Sequence, residues 1–557
     1  MAKPKPDKDT TGLRSGKSGR VPGPAKFWLL GRRDLVVLAV IAVASWIAQS
    51  FFLNYTVDDA FISFRFSRNL VDGLGLVFNS GERVEGFTNF LWTIWCAIPF
   101  LLKINVLWFS KLSLMLLSAG SIVLTVLLFR RLARNAPWWM AFLPAGLLAM
   151  HTSFTVYAVN GIETQLFCFL LLLAVNLSAR EFEHGGWLSA IFFGLLFYTR
   201  PDGLAFFGLV WLARLVMGRR DRGFWIWSAV FAAMAGALFA FRLSYYGHPF
   251  PNTYYAKSAG TLGTRVSMWG VRYFRDIFRV RANWLYMLLP LAGVFFWKRL
   301  PRYARVVLLL PYIYLGYVLY IGGDVNFPYF RFLLHVLPLL AVAAFLPFAF
   351  PSHNAAAAKP KPGIAPWLAA GLSVVVLVLQ LANTTAVWKG MNATEESPQF
   401  HYLSLFPLAG PIFIYPEIAE SLRQTCPPGA VVVMQDVGAI PFYSGVRTFD
   451  IIGLVNGPLA RYFYHKGYTD YQRGRLPVDL VQEVDAHVRD VIIDSVKADY
   501  VLYHVDSGDP RELGYSFHFH NLAFDPRFQE LYRPVHLFSY PVTNRADHIL
   551  FERVSKQ

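Results

Sequence analysis

The chain has 557 residues, 55% of them hydrophobic and 17% aromatic, against only 16% charged. A soluble protein of this length carries more charge and breaks its apolar runs sooner, so a water-soluble globular enzyme is excluded. A net charge of +17 does not point to nucleic acid, because much of the basic excess sits in the N-terminal tail and in short loops between apolar runs, as the positive-inside rule expects.

Residues 1–33 are rich in Lys, Pro and Gly and read as a disordered cytoplasmic tail. Within it, Gly16-Lys17-Ser18 lacks the first glycine of a phosphate loop, since position 11 is Thr, and no strand precedes it. The first apolar run, 35–53, has no small-residue cleavage site and reads as a retained helix rather than a signal peptide. A polar, glycine-bearing first loop follows over 54–89. The next apolar piece, 90–102, is too short to cross a bilayer and reads as interfacial or re-entrant. The run 106–129 ends in Arg130, Arg131 and Arg134, which marks a cytoplasmic end.

Later helices are expected at 138–158, 164–179, 187–199, 203–217, 224–245, 284–297, 304–321, 329–350 and 365–387. Arg180, the Arg219-Arg220-Arg222 group, Lys298-Arg299 and Lys359 with Lys361 then fall on the cytoplasmic side. The result is a polytopic α-helical membrane protein with about eleven spans over 34–388, its N-terminus cytoplasmic and its C-terminal part outside. From 389 to 557 the composition changes, and 430–434, 500–505 and 548–554 read as strands with helical patterns between them. That part is expected to be a soluble extracytoplasmic α/β domain. Of three cysteines, Cys96 and Cys168 lie in apolar segments and Cys426 stands alone, so they form neither a disulfide framework nor a metal cluster.

With this topology the unusual polar residues fall on the outer side. They are Asp58, Asp59, Arg65, Arg68, Glu82, Arg83 and Glu85 of the first loop, then Asn160 and Glu163, Arg200 and Asp202, Asn252, Tyr254, Tyr255 and Lys257, and Asp324 and Arg331. Ionisable groups near membrane segments are costly, so they are candidates for function. A lipid phosphate leaving group gathers negative charge and needs Arg or Lys donors. An incoming sugar hydroxyl needs a carboxylate to take or orient its proton, and an oxocarbenium-like centre is stabilised by nearby carboxylates. Plainer roles exist for each. Asp58 and Asp59 could start a helix, although two adjacent acids are more than a cap requires. Arg65 and Arg68 could snorkel to headgroups. Glu163 could face a helix dipole, Arg200 and Asp202 could close a turn, Asp324 and Arg331 could be a turn acid and its partner, and Lys257 could meet a lipid headgroup.

The string Asp58-Asp59-Ala-Phe-Ile-Ser-Phe-Arg65-Phe-Ser-Arg68-Asn69-Leu, followed by Gly73-Leu-Gly75, Asn79 and Gly81-Glu82-Arg83-Val84-Glu85-Gly86, resembles the first outer loop of a GT-C family. That family includes the actinobacterial terminal arabinofuranosyltransferase acting on cell-wall arabinan. Gly161-Ile162-Glu163-Thr164, Thr199-Arg200-Pro201-Asp202-Gly203, Pro251-Asn252-Thr253-Tyr254-Tyr255-Ala256-Lys257 and Gly322-Gly323-Asp324 resemble further blocks. The resemblance implies a GT-C fold, a polyprenyl-monophosphate sugar donor such as decaprenyl-phosphate arabinofuranose, and a glycan acceptor at the outer face of the cytoplasmic membrane. It implies Asp58 or Asp59 as the catalytic or acceptor-orienting acid. Arg65, Arg68, Glu85, Glu163, Arg200, Asp202, Asn252, Tyr255, Lys257, Asp324 and Arg331 would contact the donor. Some members use a divalent cation (Mg, Mn or Ca) at the first-loop acid and others do not. With no dedicated metal cage in the sequence, that point stays open. The outer domain would bind acceptor, while Asp436, Gly438 and Tyr443 are expected only to hold its fold.

Three other readings compete. A mannosyl or other hexosyl transferase uses the same chemistry. A transporter or flippase for lipid-linked glycans would show repeats and midplane polar sites, which the sequence lacks. A polymer-binding scaffold leaves the first-loop acids unexplained.

Overall fold

The computed structural model describes residues 30–218, 220–258, 270–323, 329–349, 364–391, 415–469, 476–504, 522–539 and 546–554. The tail at 1–29, Asp324, and Lys359 with Lys361 lie outside them. Among the described residues, seven helices are long and apolar enough to cross a membrane: Arg32–Ser50, Val106–Leu132, Thr164–His184, Arg222–Tyr246, Arg302–Ile321, Arg331–Ala349 and Ile364–Lys389. Arg331–Ala349 lies at the centre of the bundle with nearly every side chain buried. Arg32–Ser50 and Ile364–Met391 are peripheral and turn Leu35, Val36, Val40, Ile47, Trp367, Val374 and Val378 outward. An apolar outer surface of this kind suits lipid, not water.

Several expected spans are broken, for local reasons. The run 138–158 divides into a 3-10 turn at Trp138–Ala141 and helices Phe142–Ala149 and Thr152–Val156. At the break His151 Nδ1 accepts from the Ser153 N–H at 3.2 Å, while its Nε2 meets Asn283 Oδ1 at 2.9 Å. The run 284–297 becomes a helix at Arg281–Leu288 and a 3-10 segment at Leu289–Val294 with Pro290 as its second residue, where proline cannot donate to the preceding turn. The piece 90–102, expected to be interfacial or re-entrant, is two short helices, Phe90–Trp95 and Ile98–Leu101, the second with Pro99 in its first turn.

The two ends of the bundle differ in chemistry. One end carries Asp34–Arg130 at 2.5 Å, Glu183–Arg134 at 2.7 Å and Glu181–Arg214 at 3.4 Å. At the other, Lys111 Nζ donates to the Leu53 and Tyr55 carbonyls at 2.6 and 2.7 Å. That anchor fixes the exit of the first helix, and the polar helix Asp58–Val71 follows.

The α/β domain sits on this second end. Its strands are β1 (Val431–Met434), β2 (Arg447–Asp450), β3 (Tyr500–His504), β4 (Tyr532–Ser539) and β5 (Ala546–Arg553), in the order β2-β1-β3-β5-β4. β1 runs parallel to β2 and β3, and β5 runs antiparallel to β3 and β4. β1, β3 and β5 are the strands legible from apolar runs. β2 alternates in burial but over only four residues, and β4 is a mostly exposed edge strand containing Pro534 with no such alternation.

Candidate active site

The Asp58–Val71 helix begins with its two acids in the first turn and buries most of the face that follows. It packs on the segment 160–163. The Val57 N–H donates to the Asn160 carbonyl at 3.0 Å, and the Trp92 indole N–H donates to the Gly161 carbonyl at 2.9 Å. Gly161 has φ +90, and a Cβ there would lie 3.0 Å from the Ala60 Cβ, so this close, left-handed approach favours glycine. Two motif blocks a hundred residues apart are therefore one packed unit.

The other face of the helix carries the α/β domain. The loop 435–439 leaves the carboxyl end of β1 and closes over Asp58, whose Oδ1 accepts from the Ala439 N–H at 2.7 Å. A Cβ on Gly438 would lie 2.2 Å from the Asp58 carbonyl oxygen and 2.3 Å from Oδ2. Gly438, expected only to hold a turn, is thus the residue that lets the domain reach the acid. Burial pushes the Asp58 carboxyl up to about 7. The charges of Asp436 and Asp59 add to the rise, and the N–H groups of Ala439 and Gly438 offset it only in part. Asp59, half-buried beside it, makes no hydrogen bond or ion pair among the described residues. Its carboxylate remains open to an acceptor hydroxyl or a cation. Two neighbouring acids are far short of the six oxygens or more that a hard divalent cation takes, so substrate and water would have to complete such a shell.

Arg65 and Arg68 serve the docking. Arg65 donates to the Phe78, Pro441 and Val446 carbonyls at 2.9, 2.6 and 2.8 Å, and Arg68 to the Phe442 carbonyl at 2.8 Å. Asn79 exchanges two hydrogen bonds with the backbone of Thr448, at 2.8 and 3.1 Å. Asn252 donates to Gly453 and Leu454 at 2.6 and 3.0 Å. The structure places these three donor candidates, Arg65, Arg68 and Asn252, between the helical part and the domain, holding backbone carbonyls.

Glu163, Arg200 and Asp202 come together as a second cluster inside the bundle. Arg200 pairs with Glu163 at 2.6 Å and Asp202 at 3.1 Å. Asn89 donates to the other Glu163 oxygen at 2.9 Å, Tyr314 to Asp202 at 3.3 Å, and His335 lies 2.7 Å from the Tyr314 hydroxyl. Arg331 adds its positive charge beside Glu163. Glu85 forms a third buried pair, bidentate to Arg242 at 2.9–3.0 Å. Asn89, Arg242, Tyr314 and His335 were not singled out from sequence. Asn89 ends the first loop and the other three lie in apolar runs, each with a partner from a different segment of the chain.

Glu85, Asn252 and Tyr255 also line a cavity of about 140 Å³ with Arg83, His248 and Arg461, in the crevice between the helical part and the domain. Tyr255 packs edge-on against Tyr464 at 5.5 Å. Lys257 is exposed on the same short helix, Asn252–Ser258.

A family model described as a domain of unknown function (DUF8728) matches residues 409–551, the α/β part. Two curated relatives are terminal β-(1→2)-arabinofuranosyltransferases. That of Corynebacterium glutamicum is 28% identical over 339 residues, covering 51% of this chain and 46% of the relative. That of Mycobacterium tuberculosis is 30% identical over 298 residues, covering 49% and 46%. The match thus spans less than half the length of either relative. Among solved structures, ArnT from Cupriavidus metallidurans aligns over 94% of this chain and 98% of its own at TM-score 0.51 and 14% identity. The mycobacterial arabinofuranosyltransferase AftD aligns over 95% of this chain and 40% of its own, at TM-score 0.51 and 15% identity. The chain therefore has the GT-C fold expected from its first-loop motif: a polytopic helical membrane protein with a C-terminal α/β domain.

Proposed function

We propose that the chain is a membrane glycosyltransferase that moves a sugar, arabinofuranose before any other, from a polyprenyl monophosphate to a cell-envelope glycan. The reaction takes place where the α/β domain meets the Asp58–Val71 helix, at the outer face of the cytoplasmic membrane. The observation that carries this reading is Asp58. Among the carboxylates of the three clusters described above, it is the one held by backbone N–H groups instead of an opposite charge; burial poises its proton affinity near 7, a value Glu85 shares while locked to Arg242. A general base works best with such a value.

Asp58 takes or orients the proton of the acceptor hydroxyl. The oxygen forms a new bond to the anomeric carbon, the bond from that carbon to the phosphate oxygen breaks, and its electron pair leaves on the lipid phosphate. Arg83 and Arg461 face the 140 Å³ cavity, where positive groups offset charge gathering on the phosphate; His248 beside them, held below its ordinary value by burial and by Arg461, is a neutral neighbour. Asn252 and Tyr255 border the same space, and Lys257 extends the basic rim toward the lipid headgroup. Glu163, Arg200, Asp202 and Arg331 set the position of the acid helix through Asn89, which reaches Ser63 at 3.1 Å. The similarity to two arabinofuranosyltransferases supports the choice of sugar.

The test is transfer by purified protein in nanodiscs, offered decaprenyl-phosphate arabinofuranose and polyprenyl-phosphate mannose with short glycan acceptors. Transfer of arabinofuranose that Asp58→Asn abolishes is the expected result. Transfer of mannose alone would overturn the sugar, and full activity in Asp58→Asn would overturn the site.

A further inference from the structure

The carboxyl edge of the parallel strands, where open α/β sheets commonly bind ligands, gathers three side chains that the transfer chemistry does not use. Asp436 follows β1, His504 ends β3, and His548 lies at the start of β5. His504 and His548 are paired directly across the antiparallel ladder, with imidazole rings stacked at 4.7 Å and 5°. Both point a nitrogen at one carboxylate oxygen. His548 Nε2 is 3.0 Å and His504 Nδ1 3.9 Å from Asp436 Oδ2, and all three ligand atoms lie within 4.8 Å of one another. We infer that Asp436, His504 and His548 form a binding site for a first-row transition dication, of which Zn²⁺ suits the donors best.

Bonds of about 2.0–2.1 Å at tetrahedral or octahedral angles set ligand atoms about 2.9–3.4 Å apart. The His548–Asp436 separation already has this value, whereas His504, 3.9 Å from Asp436 and within 4.8 Å of the His548 nitrogen, must approach by up to about 1.5 Å. Two imidazoles and one carboxylate, with a position left for water or another ligand, select zinc, iron or manganese over calcium or magnesium. The surroundings match a ligand site. Tyr415 hydrogen-bonds the Asp436 carboxylate, the kind of outer partner that orients a ligand. Gln435 Nε2 caps His504 Nδ1 and must release that nitrogen to the ion, while the buried Gln435 Oε1 has no hydrogen-bond partner among the described residues. The alternative is a structural Asp–His pair. It accounts for His548, and for His504 as a partner of Gln435, but not for two imidazoles stacked at 4.7 Å with both aimed at one carboxylate oxygen.

The ion would act by position. It ties the loop 435–439 to β3 and β5, and that loop presents Gly438 and Ala439 to Asp58. Its three ligands are distinct from the first-loop acids, and metal binding does not depend on the transferase reading.

Full-length protein without a polyhistidine tag, loaded with Zn²⁺ or Co²⁺ in detergent and passed over a desalting column, should retain one ion per chain. Cobalt should give the visible absorption of a nitrogen-containing low-coordinate site. His548→Ala should lose the ion. His504, partly exposed at the rim, provides a variant that keeps the fold, and His504→Ala should bind at least tenfold more weakly. Asp58→Asn should retain the full equivalent, which separates this site from the catalytic acid. Folded wild-type protein that retains neither metal, or a His504→Ala/His548→Ala variant that binds as wild type does, would overturn the assignment.

Discussion

Asp58 and Glu163 are both acids on the same end of the molecule, and they are held in opposite ways. Glu163 is buried against Arg200, with Asn89 on its other oxygen and the charge of Arg331 close by. Asp58 has no cation at contact distance among the described residues. It has one 2.7 Å hydrogen bond from the Ala439 backbone and two acids for neighbours. A buried charge matched by an opposite charge is a fixed element of the fold. A charge held by dipoles beside like charges is free to change protonation. On the proposed function, the difference separates a bracing acid from the catalytic one.

The comparison breaks most clearly with one substitution on each side. Asp58→Asn should lower transfer by about 10²–10⁴-fold, the usual range for a lost general base, without lowering the temperature of unfolding. Arg200→Met should do the reverse in character. It strands Glu163 and Asp202 in the bundle and costs about 3–5 kcal/mol of stability, read as a lower unfolding temperature in detergent. If Arg200→Met unfolds no earlier than wild type while Asp58→Asn does, the two roles are assigned the wrong way round.

Gly438→Ala sharpens the same contrast, because its added Cβ collides with Asp58 itself. Overpacking of this sort costs about 1–3 kcal/mol. The loss should appear as faster protease cleavage between the helical part and the domain, and as reduced transfer, with the membrane helices still folded. Wild-type protection from protease would mean that the domain does not rest on the acid.

The pH dependence has a definite sign. The folded-state value of Asp58, about 7, lies above its ordinary 3.8, so the folded protein binds this proton more tightly than the unfolded chain does. The stability it contributes is complete below about 3.8 and is lost as pH rises from there to about 7. A base must be ionised, so kcat/KM should rise with pH through the same region, with its acid limb near 7. The active form is then the less stable one. Asp58→Asn should flatten the stability change over this window, and a wild-type acid limb near 4 would show that the carboxyl is not raised.

The sequence made the membrane part and the first-loop acids legible, because apolar length and a dense run of Asp, Arg and Glu are local signals. It could not reveal what Arg65, Arg68 and Asn252 touch, since their partners are backbone carbonyls at Pro441, Val446, Phe442 and Gly453. Backbone groups carry no residue signature, and the loop that closes the distance exceeds three hundred residues for the arginines. Asp436, His504 and His548 were obscured for a similar reason. They come together only once β1, β3 and β5 are side by side, and their spacing along the chain matches no local metal motif.

The smallest effect belongs to the rim of the docking surface, where Glu82 meets Arg447 at 2.7 Å with side chains 36% and 54% exposed. An ion pair so open to solvent is screened and contributes about 0.2–1 kcal/mol. Next to it Asn79 holds the Thr448 backbone through two buried hydrogen bonds, and removing a partner there strands buried polar groups at about 1–3 kcal/mol. Glu82→Gln should therefore leave protease protection of the domain close to wild type, and added salt should weaken wild type only slightly. Asn79→Ala should expose the junction in the same assay. If Glu82→Gln proved the more damaging of the two, surface charge and not buried backbone pairing would be what seats the domain on the acid helix.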